Sequence, residues 1–195
     1  MSLRCVAAAE IAAQAWRNCG GRTRELLAWP ALGHWAMRVS LADIDADGPF
    51  SAFPGVERWF AVVEGAGVAL TFGAAKRHVV AGEAPLRFDA ALPPHCRLLD
   101  GPTVDLNLML REGRGEMRQV QPGAAWEPGF AIRALFANVA GLWRGHGESM
   151  RVAPRTLAWA DAANDDGGAW SFVADTPGPA VPGWWLGYTP QRTPR

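Results

Sequence analysis

Two pairs of polar residues, Arg38 with Ser40 and Asp105 with Asn107, lie two positions apart within runs that alternate polar and apolar side chains. An alternation of period two places each pair on one face of a β-strand. A partly desolvated Arg forms paired, charge-assisted hydrogen bonds with a carboxylate, and Ser and Asn side chains fix its orientation. If the two strands belong to a closed barrel, their polar faces converge on a lumen suited to a small carboxylate metabolite. If the sheet is open, the same residues face solvent.

Three more residues are candidates for the same site. Glu25 is either the buried partner of Arg38 in the empty state, since an unpaired buried Arg is costly, or one half of a solvated pair with Arg24. Arg58 is either a second anion contact or part of a surface salt bridge. Phe50 belongs either to the core or to the rim of the pocket. The sequence leaves each of these alternatives open.

Neither a metal site nor a catalytic group stands out. Transition metals are usually held by three or more convergent imidazole or carboxylate ligands, whereas the histidines here are isolated and form no HxH pair: His34, His78, His95 and His146. Ser51 lacks a GxSxG elbow. We therefore expect no metal, no cofactor and no catalytic residue.

Composition narrows the class of protein. The 195 residues carry 19 basic and 19 acidic side chains, so no excess positive charge is available for nucleic acid or an anionic membrane. Ten Trp, 22 Gly and 15 Pro favour many short strands joined by turns. The three cysteines have no CxxC spacing, which favours free thiols and a reducing compartment. With no apolar run of the roughly 20 residues that a membrane span needs, and no signal-peptide core, we expect a cytoplasmic protein.

The chain reads as a series of strands with few helices. Ala7–Ala15 is rich enough in Ala to predict a short helix. Gly65 and Gly67 predict a hairpin turn. Strands are predicted at residues 3–6, 35–41, 59–64, 68–72, 77–81, 86–88, 96–99, 104–110 and 184–188.

Three stretches carry a resemblance to a known family: RVSLADIDADGPFSAFPGVER from Arg38, WRNCGGRTRE from Trp16 and DGPTVDLNLMLR from Asp100. They resemble the HutD/Ves family, small bacterial proteins of the cupin superfamily that are linked to histidine utilisation. Arg17 stands where Lys is common in the family, and Cys19 stands where Gly is usual. Gly at that position permits a positive φ.

The resemblance implies an all-β bicupin, two fused antiparallel β-barrels or jelly-roll sandwiches with few short helices. Residues 1–195 would form a single HutD-like bicupin unit. Within it, residues 1–122 would form the first barrel with an N-terminal segment, and residues 123–195 a second, degenerate barrel. An echo of FAVVEGAG (60–67) in LFANVAG (135–141) favours a duplicated unit.

The function expected from the resemblance is that of a metal-free protein that binds a small carboxylate and has an accessory or regulatory role in histidine utilisation. Urocanate and a formylated glutamate derivative are the ligands it implies. The alternatives are a metal-independent isomerase or hydrolase that uses Glu25 or another acid as general base, and a structural protein whose lumen is filled by side chains. Exposed strand edges also make a homodimer possible.

Overall fold

The computed structural model describes residues 3–17, 19–127, 129–161, 168–176 and 181–191, and these are almost entirely β-structure. The paired carboxylates Asp165 and Asp166, which the sequence places in a turn, lie outside the described residues. The strands are β1 Arg4–Ala7, β2 Gln14–Ala15, β3 Gly21–Trp29, β4 Met37–Ile44, β5 Gly48–Pro49, β6 Val56–Glu64, β7 Val68–Phe72, β8 Ala75–Val79, β9 Leu86–Asp89, β10 His95–Leu98, β11 Thr103–Arg111, β12 Gly113–Gln119, β13 Ile132–Ala137, β14 Gly141–Gly145, β15 Glu148–Val152, β16 Thr156–Asp161, β17 Trp170–Ala174 and β18 Gly183–Pro190.

The predicted helix over Ala7–Ala15 is wrong. Only Ala8–Glu10 forms a turn of 3-10 helix, and Gln14 and Ala15 pair with β3 instead. Tertiary strand pairing therefore outweighs the helix propensity of the Ala-rich segment. None of the described segments forms a helix long and apolar enough to cross a membrane.

The chain divides into two compact units. The first unit is Ile11–Glu112, and the second unit combines Met1–Glu10 with Gly113–Arg195. This division differs from the expected boundary after residue 122, because β12 pairs with β18 and β1 pairs with β16. The N-terminal segment thus belongs to the second unit, through long-range pairing that no local pattern indicates.

The first unit is a sandwich of two antiparallel sheets. The six-stranded sheet has the order β2-β3-β4-β11-β6-β9, and the four-stranded sheet has the order β5-β10-β7-β8. Buried apolar side chains from both sheets form one core, including Phe60 and Val62 of β6 and Val68 and Leu70 of β7. The layered arrangement buries the apolar face of each sheet against the other.

The hairpin between β6 and β7 turns on Gly65 and Gly67, as predicted. Both have positive φ, 96° and 106°. A Cβ on Gly65 would lie 2.6 Å from the Pro102 carbonyl oxygen, and one on Gly67 would lie 2.4 Å from that of Val79. Other residues are excluded there by space as well as by backbone conformation.

The second unit is also a sandwich. Its five-stranded sheet has the order β1-β16-β13-β18-β12, and its three-stranded sheet has the order β15-β14-β17. Four tryptophans fill the space between the sheets: Trp126, Trp143, Trp170 and Trp185. The rings of Trp126 and Trp185 are stacked with centroids 5.1 Å apart, and those of Trp143 and Trp170 meet edge to face at 5.3 Å. The interior of this unit is therefore packed with aromatic side chains.

Candidate functional site

The register of the six-stranded sheet places the sequence-predicted polar residues next to one another on one face. Asn107 of β11 pairs with Ser40 of β4, and Ser40 pairs in turn with Glu25 of β3. Two residues further along β11, Met109 pairs with Arg38 of β4 on one side and with Arg58 of β6 on the other. Because side chains of directly paired residues project from the same face, these six groups form two adjacent rows. Apart from Glu25, the residues of these rows form the floor of a cavity in the first unit.

The cavity has a volume of about 500 Å³, and its floor includes Arg38, Ser40, Arg58 and Asn107. Apolar side chains also line it: Trp16, Phe50, Phe53 and Met109. A cavity of this size can enclose a small metabolite. Of the residues that the sequence assigned to a site, all but Glu25 and Asp105 therefore line one cavity.

The loop after β5 and the segment before β3 hold the aromatic walls in place. The backbone N–H of Phe50 donates to the Pro94 carbonyl at 3.0 Å, and that of Phe53 donates to the Ala90 carbonyl at 2.8 Å. The indole Nε1–H of Trp16 donates to Thr23 Oγ1 at 2.7 Å. The backbone of each Phe and the ring of Trp16 are therefore anchored by hydrogen bonds.

Cys19 has the positive φ that would be expected of a Gly at this position. Its φ is 56°, and its N–H donates to the Trp16 carbonyl at 3.0 Å. A non-Gly residue is strained in this region by roughly 1 kcal/mol or more. The loop that carries Trp16 thus retains its left-handed turn despite the substitution.

Arg58 is a buried cation on the floor of the cavity. Its Nε and Nη2 both donate to Asn107 Oδ1, at 2.9 and 2.6 Å, and its guanidinium lies 4.3 Å from the centre of the Phe50 ring. Burial lowers the pKa of Arg58 to about 10, opposed by the charge of Asp105, so the side chain remains protonated at neutral pH. Nη1 makes no hydrogen bond with any described residue.

Arg38 is held by Glu25. Its Nε donates to Glu25 Oε2 at 2.5 Å, and Nη1 lies 3.8 Å from the Met109 sulfur. The side chains of Arg38 and Glu25 are 19% and 23% exposed, so the pair is partly desolvated. Arg38 Nη2 and Ser40 Oγ have no hydrogen-bond partner among the described residues. Both remain available to a ligand.

The structure resolves the alternatives left open by the sequence. Ser40 is only 3% exposed, so the interpretation in which it faces solvent is wrong. Arg58 is only 8% exposed, so it does not form a surface salt bridge. Arg24 donates to Asp43 at 2.7 Å, so the solvated pair of Arg24 with Glu25 is also wrong. Phe50 belongs both to the core and to the cavity wall.

Asp105 lies on the same sheet face but below the cavity surface. It is completely buried, Thr103 Oγ1 donates to its Oδ2 at 2.8 Å, and its Oδ1 has no partner among the described residues. Burial raises the pKa of Asp105 to about 7, while the Thr103 hydrogen bond and the charge of Arg58 act in the opposite direction. The sequence placed Asp105 beside Asn107 but did not mark it as unusual.

The electrostatics of the cavity favour an anion. Arg17, Arg38 and Arg58 line it, and no carboxylate is among the described residues that do. Glu25 neutralises Arg38 from the side, and Asp105 acts on Arg58 from below. The lining is consequently cationic, with each inner guanidinium only partly satisfied.

The donor set does not fit the metal that many cupins bind. In the part of the chain that the structure describes, no three His, Cys, Asp or Glu side chains converge. His34, His78 and His95 are exposed, and His146 lies in the second unit, where it accepts a hydrogen bond from Trp170 Nε1 at 3.1 Å. Guanidinium groups on the cavity floor would repel a cation.

Comparison with known proteins agrees with this architecture. The chain is similar over 95% of its length to 77% of a variant of oxalate decarboxylase from Bacillus subtilis, with a TM-score of 0.61 at 8% identity, a likeness of fold alone. With two antiparallel sandwiches in one chain, it is a cupin-type protein, a bicupin. The HutD family profile matches residues 8–177, and the chain belongs to that family.

Two other proteins are more similar to this chain in sequence. Protein Ves of Citrobacter koseri is 30% identical over 150 residues, which cover 75% of this chain and 77% of Ves. HutD from Pseudomonas fluorescens SBW25, a structure with the words "Formate condition" in its description, superposes with a TM-score of 0.82 at 22% identity, over 98% of this chain and all of HutD. The family resemblance expected from the three sequence stretches is therefore confirmed.

Proposed function

We propose that the cavity of the first unit binds a small carboxylate metabolite and that the protein has an accessory or regulatory role in histidine utilisation. The observation that carries the proposal is the pair of guanidinium groups on the cavity floor. Arg38 Nη2 and Arg58 Nη1 are both without a hydrogen-bond partner among the described residues. Two such donors beside the Ser40 hydroxyl match the acceptors of a carboxylate.

The dimensions and walls of the cavity indicate the rest of the ligand. A volume of about 500 Å³ exceeds what a bare carboxylate fills, and the Trp16, Phe50 and Phe53 rings offer flat apolar surfaces. A carboxylate attached to a planar or short apolar body complements both parts. Urocanate has this planar form, N-formylglutamate carries two carboxylates on a short body, and membership of the HutD family favours ligands from histidine breakdown.

The rival function is a metal-independent isomerase or hydrolase that uses Glu25 as general base. A base needs a free oxygen within hydrogen-bonding reach of the substrate proton. Glu25 Oε2 instead accepts from Arg38, and Glu25 does not line the cavity. This arrangement favours a role for Glu25 as the counter-ion of Arg38.

The test is calorimetric titration of the protein with urocanate and N-formyl-L-glutamate, supported by thermal shift, since a ligand of the native state raises the melting temperature. We expect Arg38→Met to weaken binding about 10- to 150-fold, the equivalent of the roughly 1.5–3 kcal/mol of a hydrogen bond to a charged group. Arg87→Met is the matched control, because Arg87 also pairs with a glutamate, Glu57, on the same sheet but outside the cavity.

Two outcomes would overturn the proposal. Equal affinities in the Arg38 and Arg87 variants would remove the cavity from consideration, and the absence of any thermal shift with either acid would favour a structural role. Turnover of a bound acid, followed by chromatography, would instead support the enzyme.

A further inference from the structure

Asp105 occupies an unusual position next to the cavity. It precedes Asn107 by two residues on β11, so the two side chains project from the same face of the sheet. Asn107 in turn holds Arg58 through two hydrogen bonds. Asp105 is fully buried, and its Oδ1 has no hydrogen-bond partner among the described residues. A buried carboxylate oxygen without a donor is costly, and protonation relieves that cost.

Among the charged groups around Asp105, Arg58 is the one that stabilises its ionised form. From β6, Arg58 favours the ionised form, whereas Asp43 on β4 disfavours it. Asp43 is itself neutralised by hydrogen bonds from Arg22 and Arg24 of β3.

From the other sheet of the sandwich, β10 contributes one titratable group near Asp105, the thiol of Cys96. Burial raises the pKa of Cys96 to about 12, with the charge of Asp105 as the next cause, so the thiol is neutral at physiological pH. The ionised state of Asp105 thus depends on Arg58 and on the hydroxyl of Thr103.

We propose that Asp105 takes up a proton when an anion binds at Arg58, so that binding of a carboxylate by this protein is coupled to protonation of a buried carboxyl group. The inference rests on the proposed function, because it needs the anion to occupy the cavity. It assigns Asp105 as a residue that regulates the same site without touching the ligand.

The direction of the coupling follows from the charges. An anion at Arg58 brings a second negative charge near Asp105 and offsets the positive charge that supports the carboxylate. Both effects raise the pKa of Asp105 above the value of about 7 that burial already gives it in the empty protein. The complex therefore binds one more proton than the empty protein in the interval between the two pKa values.

The measurable consequence is an affinity that depends on pH. Below about pH 6, Asp105 is protonated both in the empty protein and in the complex, so the affinity for the anion does not change with the ionisation of Asp105. Above about pH 7, affinity falls by up to about tenfold per pH unit, until the pKa of the complex is passed. The ligand carboxylate is ionised throughout this range and adds no slope of its own.

The test uses N-formyl-L-glutamate and trans-cinnamate as probes, because their carboxyl groups are ionised from about pH 6 to about pH 9. Dissociation constants are measured across this range for the wild type, Asp105→Asn and Asp45→Asn. Asp45 is exposed, so it is the matched control. We expect a downward slope above pH 7 in the wild type and the control, and none in Asp105→Asn, which binds more tightly than the wild type at about pH 8.5.

A second variant and a second readout keep the proposal testable if Asp105→Asn does not fold. Thr103→Val removes the hydroxyl that donates to Oδ2, which raises the pKa of Asp105 and moves the slope to higher pH. Infrared difference spectra on adding a probe at about pH 8 should show a gain in the protonated carboxyl band.

The results separate the two proposals. Binding with the same pH dependence in the wild type and Asp105→Asn, or with no gain in the carboxyl band, overturns the proton coupling and leaves anion binding intact. Absence of binding by either probe at every pH overturns the proposed function, and the coupling with it.

Discussion

Glu25 occupies the position of a built-in competitor for the anion, because its carboxylate already holds Arg38. The perturbation that isolates this role is Glu25→Gln, which keeps the size of the side chain and an oxygen acceptor for Arg38 Nε while removing the charge. In the wild type, Glu25 Oε2 lies 2.5 Å from Arg38 Nε, and about a fifth of each side chain is exposed. We expect the variant to bind carboxylates more tightly and to be slightly less stable.

The magnitude follows from the geometry. Two carboxylates that contact one guanidinium at different edges lie roughly 6–7 Å apart, and at an effective dielectric constant of about 20–40 they repel by roughly 1–3 kcal/mol. Partial exposure of the pair reduces this value through solvent screening, so we take about 1 kcal/mol, or about fivefold tighter binding. The stability loss should not exceed about 1 kcal/mol, the upper range for exposed pairs.

The assay is calorimetric titration with N-formyl-L-glutamate at low and high salt, alongside urea unfolding. Glu57→Gln is the matched control, since Glu57 pairs with Arg87 outside the cavity. The gain in affinity should shrink as salt rises, and the control should bind like the wild type. Weaker binding in Glu25→Gln would refute the reasoning, because it would mean that the carboxylate contacts the ligand favourably.

Three further expectations concern stability and reactivity. Because burial raises the pKa of Asp105 to about 7, above the roughly 3.9 of an unfolded Asp, the contribution of Asp105 to stability is greatest below about pH 4 and is lost as pH rises from about 4 to about 7; urea unfolding of Asp105→Asn should lack this component. Trp143→Ala should lose about 3–5 kcal/mol in urea unfolding, since the ring is 1% exposed, and a loss under about 1 kcal/mol would contradict the packing. A thiol reagent should modify the exposed Cys5 and Cys19 rapidly, and Cys96, whose pKa burial raises to about 12, only on unfolding.

The site could be predicted from the sequence only in part. Alternation of period two placed Arg38 and Ser40 on one face of a strand, and Asn107 on one face of another, as the structure has them, because the direction of a strand side chain depends on local geometry. Whether that face meets solvent or a cavity depends on the second sheet, which no local pattern reveals. The position of Arg58 across from Met109 depends on the register between β6 and β11, which shifts at an irregularity beside Asp105.

The fold was predicted more completely than its division into units. Turn residues such as Gly65 and Gly67 indicated strand ends because their backbone conformation is local. The assignment of β1 to the second unit depends on a partner strand, β16, some 150 residues away, as Arg4 pairs with Trp159. Pairing at such separation leaves no trace in composition or periodicity.

The buried polar groups of the first unit can be compared with those of the second unit, which has the same kind of fold. It builds the same kind of sandwich around four tryptophans. Its own buried Arg133 donates to the Gly168 carbonyl at 2.6 Å and stacks 4.5 Å from the Trp170 ring centre, and is thus satisfied by the protein. Arg58 and Asp105 of the first unit each keep one atom without a protein partner among the described residues. The second unit also keeps buried atoms without a partner among the described residues, the indole Nε1 of Trp143 and of Trp184, so the two groups of the first unit are distinguished by their charge, which agrees with the proposed binding of an anion.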